Sequence, residues 1–189
     1  MVAIMNVRAY RCAGVILSVC VLLGGCADEP VAYSETVSLK LSGMKAKDVK
    51  SGVVTEEKNV NTETANPYGD FLKNATDSLS GAEPSRVVLS KATLGLHSDS
   101  EGISRLDQVF KRIELFVSSS SSTTILGVAT SLSAAEATVA IDEDIDWEAL
   151  ASLMLAGDFK VGVRCETNAT TPKEWEARLF LDLNFSAFE

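Results

Sequence analysis

The alternation of apolar and polar side chains near the C-terminus constrains the fold most strongly. Within residues 177–188, apolar residues occupy every second position over four repeats. The apolar positions are Leu179, Leu181, Leu183 and Phe185, and the intervening ones are Phe180, Asp182 and Asn184. Successive side chains of a β-strand point to opposite faces of a sheet, so this period of two predicts a strand with one buried face.

Shorter segments with a similar composition lie between turn residues along the rest of the chain. They predict strands at residues 37–42, 87–96, 113–117, 125–132, 137–141 and 159–167, with residues 52–64 as an edge strand or a loop. Two helices are predicted from their caps, Asn66 before Pro67 and Asp146 before Trp147. Apolar residues recurring every three or four positions predict a third short helix over residues 103–113.

These elements predict a mainly β fold, an antiparallel β-sandwich of seven or eight strands with two or three short helices in the connections. The strands and helices do not alternate regularly, which disfavours a parallel sheet. In shape the prediction resembles the immunoglobulin fold, although the Cys…Trp…Cys spacing of that family is absent. The alternative is a closed barrel similar to that of lipocalins, whose early Gly-x-Trp motif is also absent.

The N-terminal segment has the layout of a secretory signal. Arg8 and Arg11 are followed by residues 12–23, in which Ser18 is the one clearly polar side chain. A transmembrane helix is the first alternative, but a span needs about 20 apolar residues. The second alternative is an ordinary signal peptide, in which the cysteine that follows has no special role.

The end of this segment, Leu23-Gly24-Gly25-Cys26, resembles the lipobox of bacterial lipoproteins. The resemblance implies cleavage after Gly25 and a diacylglyceryl group on the sulfur of Cys26. The implied organisation is a signal peptide over residues 1–25, a lipidated tether over 26–35 and a β-sandwich domain over 36–189. In proteins of this kind, Asp directly after the lipidated cysteine favours the inner membrane. Ala27 occupies that position, so the outer membrane is expected.

The charge of the chain restricts the classes of partner it can bind, and its cysteine content restricts the disulfide bonds it can form. Residues 26–189 hold 15 basic and 26 acidic side chains, which disfavours binding to nucleic acid or to anionic lipid headgroups. Cys12 and Cys20 lie in the predicted signal and Cys26 at the lipid site, so Cys165 is left without a disulfide partner. The alternation from Phe159 to Cys165 places Cys165 on a buried face, and a reactive thiol is the alternative.

No motif in the sequence predicts catalysis, a cofactor or a metal ion. His97 is followed by Ser98 and Asp99, but adjacent residues do not form a catalytic triad and no nucleophile elbow accompanies them. Residues 142–146 carry Asp at alternate positions, yet Trp147 stands where a calcium loop of the EF-hand kind needs Gly. We therefore predict a solvated loop and a helix cap, with a calcium site of another kind as the alternative.

The predicted protein is therefore not an enzyme but an envelope lipoprotein whose β domain serves protein interaction or structural support. Its predicted partners are the membrane, through the lipid anchor, and an unidentified protein. The alternative is a ligand- or carbohydrate-binding module. Trp175, between the last two strands, is the candidate contact for a sugar if its ring is exposed.

Overall fold

The computed structural model describes residues 31–63 and 66–189, so Cys26 and the predicted signal lie outside the described residues. The described chain forms eight strands and two α-helices, with 3-10 turns at Ala46–Asp48 and Leu106–Gln108. The strands are β1 (Val31–Lys45), β2 (Val53–Val60), β3 (Arg86–Leu96), β4 (Phe110–Ser118), β5 (Thr123–Ala129), β6 (Glu136–Ile141), β7 (Phe159–Thr167) and β8 (Glu176–Phe188). The helices are α1 (Pro67–Ser78) and α2 (Trp147–Ala156).

The predicted mainly β, antiparallel fold is confirmed, but the two faces of the core belong to one continuous sheet. Its strand order is β1-β8-β3-β6-β5-β4-β7-β2, with every pair antiparallel. Residues 136–139 of β6 pair with β3, and residues 140–141 pair with β5. Strand β6 therefore forms a corner between a first half-sheet (β1, β8, β3) and a second half-sheet (β5, β4, β7, β2).

The two edge strands approach each other at the side opposite this corner. Lys58 of β2 donates through Nζ to the backbone carbonyl of Lys40 of β1, at 3.2 Å. The sheet is therefore nearly closed, and its architecture is intermediate between the predicted β-sandwich and the alternative closed barrel.

The predicted register of β8 is confirmed by burial. Leu179, Leu181 and Leu183 are all buried in the core. Leu181 lies opposite Leu39 of β1 and Leu94 of β3, which are buried as well. The central strand of the first half-sheet thus directs one unbroken apolar row into the space between the two half-sheets.

Both α-helices cover the same end of the sheet, which we call the helix-bearing end. The ring of Tyr68 on α1 lies 5.1 Å from that of Phe159 and 5.0 Å from that of Phe185. Its hydroxyl donates to the carbonyl oxygen of Met154 on α2, at 2.9 Å. Burial raises the pKa of Tyr68, so this buried phenol stays neutral. β1 also begins at this end, because Val31 pairs with Phe188 at the end of β8.

The predicted helix caps are present. The Asn66 side chain accepts a hydrogen bond from the Tyr68 N–H at 3.1 Å, and Asp146 accepts one from the Ala149 N–H at 2.9 Å. Gly157 ends α2 with φ of 58°, a left-handed conformation that glycine adopts at little cost.

Two local predictions differ from the structure, and a third segment adopts one of its two predicted options. β1 begins at Val31, inside the segment predicted as a tether, and residues 53–60 form an edge strand, one of the two options for that segment. The predicted helix over residues 103–113 is wrong. Its centre is only the single turn Leu106–Gln108, and the chain enters β4 at Phe110. Apolar residues on the turn and on the inward face of β4 together imitate helical spacing.

Candidate functional site

Trp175 does not offer an exposed ring to a ligand. Its side chain lies in the core, 5% exposed, and its ring packs edge-on against Phe110 at 5.7 Å. A shallow cavity of about 330 Å³ lies beside it, bordered by charged residues that include Lys45 and Glu101. The indole N–H has no hydrogen-bond partner within the described residues. The condition set for a sugar contact, an exposed Trp175 ring, is therefore not met.

The acidic segment 142–146 uses two of its carboxylates locally. Asp142 Oδ1 accepts a hydrogen bond from the Asp144 N–H at 3.0 Å, and Asp146 caps α2. The side chains of Asp142, Glu143 and Asp144 are exposed. This is the geometry of a turn that leads into a helix N-terminus.

His97 lies in a surface charge cluster rather than in a triad. Its Nδ1 is 3.2 Å from Asp99 Oδ2, and its Nε2 is 3.3 Å from Lys40 Nζ. A hydrogen bond from Lys40, together with the field of His97, lowers the pKa of Asp99. The Ser98 hydroxyl donates to Asp99 at 3.4 Å and that of Ser100 to the carbonyl of Arg178 at 3.1 Å. Both serine hydroxyls are thus engaged with groups other than the imidazole.

Cys165 lies in the core, as its alternation predicts. It faces inward on β7, opposite Ile113 of β4 and Val54 of β2, and all three side chains are buried. Burial raises the pKa of the Cys165 thiol, which keeps it protonated and unreactive.

Sequence reasoning missed a cluster on the outer face of the second half-sheet. Its centre is Glu114 of β4, which is 4% exposed although it points away from the core. Arg112 donates a hydrogen bond to Glu114 Oε1. Arg164, on β7, forms an ion pair with the other carboxylate oxygen: its Nη2 lies 2.6 Å from Glu114 Oε2, but the angles are not those of a hydrogen bond. Arg112 also reaches Glu166, which Lys111 contacts at 3.0 Å. The hydrogen bond from Lys111, reinforced by Arg112, lowers the pKa of Glu166.

Strand register brings these charges together. Glu114 lies directly opposite Arg164, and Arg112 lies opposite Glu166, so each acid faces a guanidinium across the β4–β7 pair. A buried carboxylate is costly unless its charge is paired, and the two arginines meet that requirement. Both guanidinium side chains still reach solvent, since they are 37% and 53% exposed.

Apolar side chains lie beside this charge cluster on the same outer face. Phe116 covers Gly162, because a Cβ at that glycine would collide with the Phe116 ring. Ile125 of β5 lies opposite Phe116 and is 44% exposed, the one large hydrophobic residue so exposed within the described ranges. We call Arg112, Glu114, Phe116, Ile125 and Arg164 the outer patch. Phe116 itself is buried, so the side chains that the patch exposes are Ile125 and the two arginines. Arginine is enriched at the centre of protein–protein interfaces.

The serine-rich connection between β4 and β5 borders a polar groove of about 630 Å³. The turn itself is held by Ser119, which accepts hydrogen bonds from the N–H groups of Ser121 and Ser122, each at 3.3 Å. Hydroxyl, amide and charged residues line the groove: Ser118, Ser120, Thr123, Asn59, Glu57, Asp158 and Lys160. Such a lining suits a polar ligand with many hydroxyl groups better than an apolar one.

Comparisons with protein-family models, with curated proteins and with solved structures find no match to this chain. Within residues 31–63 and 66–189, no group of three or more His, Cys, Asp or Glu side chains is arranged to hold a metal ion. The helices of that region are too short or too polar to span a bilayer.

Proposed function

We propose that this protein is an envelope lipoprotein, anchored through Cys26 and held at the outer membrane, whose non-enzymatic β domain serves protein interaction or structural support. The lipobox-like sequence supports the anchor. Four residues lie between Cys26 and Val31, where β1 begins, and the five residue-to-residue steps from one to the other span at most about 18 Å. The helix-bearing end of the domain would therefore lie close to the bilayer.

The observation that carries the interaction role is the outer patch. Ile125 supplies exposed apolar area beside the buried Phe116, and Arg112 and Arg164 supply exposed guanidinium groups already oriented by Glu114. Side chains that are fixed before binding lose little conformational freedom when a partner arrives. The patch lies on the side of the sheet, so a partner reaches it without displacing the helices.

The interaction role predicts site-specific crosslinking at position 125. A photo-crosslinking amino acid placed at Ile125 should give discrete adducts with a protein partner in intact cells. The matched control is Ser38, an exposed residue on the outer face of the first half-sheet, where no such adducts are expected. The adducts should disappear when Arg164→Glu is added, because the charge reversal removes the ion pair with Glu114 and repels the partner's acidic groups.

Two results would contradict this prediction. Adducts of equal yield at positions 125 and 38 would show random collision rather than a specific interface. A complete absence of adducts at position 125, with the protein correctly localised, would remove the outer patch as an interaction surface.

The second candidate function is binding of a ligand or carbohydrate, and the polar groove beside the serine-rich connection supports it. We expect a binding saccharide to raise the melting temperature of the protein, because a ligand at about a hundredfold excess over its Kd stabilises the native state by about 2.7 kcal/mol. The test is a thermal-shift screen of envelope glycans, with Asn59→Ala as the groove variant and Thr36→Ala as the control on the other half-sheet. If no glycan raises the melting temperature, the carbohydrate role is contradicted.

A further inference from the structure

The net charge of the domain is concentrated at the helix-bearing end. Residues 61–85, which include α1, hold four acidic side chains and one basic one, and residues 142–158, which include α2, hold six acidic and no basic ones. Residues 31–189 hold 24 acidic and 15 basic side chains in total. The two helical segments therefore carry the whole excess of nine negative charges, and the rest of the domain, with fourteen of each sign, is neutral.

These acidic side chains are available to a partner. All ten are exposed, as is the single basic residue among them, Lys73. The two segments are also neighbours in space, because Tyr68 of α1 is hydrogen-bonded to Met154 of α2. Their fields therefore add over one surface, which two further basic residues border: Arg86 lines a pocket together with Glu148, and Lys160 lines one together with Asp158.

A groove walled by both apolar and polar side chains lies between the two helices within this acidic surface. It has a volume of about 310 Å³. Gly69, Leu72 and Thr76 line it from α1 at helical spacing, and Leu155 lines it from α2. One cation, Lys73, and one acid, Glu83, also line it. The side chains of Leu72 and Leu155 are only partly buried, so covering the groove would remove further apolar surface from water.

We propose that this groove docks a basic amphipathic helix of a partner protein, a second interaction surface beyond the outer patch. The helix would place one or two apolar side chains between Leu72 and Leu155, and its Lys or Arg side chains would meet Glu83 and the other exposed acidic residues of the helix-bearing end. Helix-in-groove recognition of this kind reads apolar anchors at three- and four-residue spacing. Charge complementarity with the helix-bearing end as a whole selects the basic partner and excludes an anionic membrane surface, which the same acidic residues repel.

The test uses the full mature chain carrying Cys26→Ser, so that it does not depend on lipidation. The probe is a fluorescent Leu/Lys peptide of about 14 residues, four helical turns, with leucines on one face and lysines on the other. Its binding is measured by anisotropy. The control peptide has glutamate in place of every lysine. Leu155→Lys places a positive charge in the groove. Ile125→Lys is the matched control, because it also replaces an aliphatic side chain by lysine but lies on the outer patch.

We expect the Leu/Lys peptide to bind, with a Kd at least about tenfold weaker for Leu155→Lys, as for the loss of a central apolar contact, and unchanged for Ile125→Lys. Should Leu155→Lys fail to fold, Glu83→Lys at the exposed rim replaces it and should weaken binding in the same direction. The inference is overturned if the two Lys variants weaken binding equally, if the glutamate peptide binds as well, or if the unaltered groove binds neither peptide. Binding of the protein to phosphatidylglycerol vesicles would also overturn it, because the helix-bearing end would then be a membrane-binding surface. None of these results bears on crosslinking at position 125.

Discussion

Leu181→Asp is expected to destabilise the domain far more than the neighbouring change Asp182→Leu. Leu181 is fully buried between Leu39 and Leu94, so the aspartate would be an unpaired carboxylate in an apolar row. The loss of the leucine contacts and the burial of a polar group together cost about 4 kcal/mol or more. For a domain of this size that corresponds to a fall of about 10 °C or more in melting temperature.

Asp182→Leu acts on the opposite face of the same strand. Asp182 accepts a hydrogen bond from the Ser38 hydroxyl at 2.5 Å and is only partly buried, so its loss costs about 1 kcal/mol. Thermal unfolding followed by circular dichroism compares the two variants. If Leu181→Asp does not fold, Leu181→Ala should still melt well below Asp182→Leu. Equal melting temperatures for the buried-face and outer-face variants would contradict the register of β8.

Cys26→Ser is expected to abolish membrane attachment. The proposed anchor is the set of acyl chains on Cys26, and each buried methylene contributes about 0.8 kcal/mol to membrane binding, so two or more chains hold a protein stably. Serine lacks the sulfur that would carry the diacylglyceryl group. The variant should lose incorporation of labelled palmitate and move from the membrane fraction to the soluble fraction.

Ala27→Ser, at the adjacent position, is the control for this variant and should retain both label and membrane fraction. Palmitate labelling and sedimentation with membranes that persist in Cys26→Ser would contradict the proposed anchor. A variant that is soluble but still labelled would place the acyl chain on another residue.

Local patterns predicted the elements whose signals are contained in a few neighbouring residues. The period of two in residues 177–188 identifies β8, and the Asn66-Pro67 and Asp146-Trp147 pairs identify the starts of α1 and α2. In each case the determining interaction, side-chain alternation or an N-cap hydrogen bond, lies within a few residues of chain. The error over residues 103–113 arose where a turn and a strand adjoin and share apolar residues.

Features that depend on strand pairing could not be predicted in the same way. The division of β6 between β3 and β5 is set by partners about 45 and 13 residues earlier in the chain. The burial of Glu114 requires Arg164, which β4–β7 pairing brings alongside it. From the sequence alone Glu114 is only a polar residue in an alternating strand. The same non-local packing buries Trp175 against Phe110, although its position in a connection favoured exposure.

The concentration of acidic residues at the helix-bearing end also illustrates this limit. Residues 61–85 and 142–158 are far apart in sequence, and only the antiparallel order of the strands brings both helices to one end. If Cys26 is the anchor, this acidic end faces the bilayer across a short tether. Repulsion from anionic headgroups, which acts over a Debye length of about 10 Å, would then hold the domain away from the surface and leave the groove accessible.

The mass of the N-terminal peptide of the protein purified from membranes tests the central proposal most directly. We expect a peptide that begins at Cys26, lacks residues 1–25 and carries the added mass of a diacylglyceryl group on the cysteine. Hydrolysis of the two ester-linked acyl chains should remove their mass and leave a glyceryl group on the cysteine sulfur, which would identify the modification. An N-terminal peptide that retains residues 1–25, or one that contains Cys26 without added mass, would contradict the assignment of this chain as a lipoprotein.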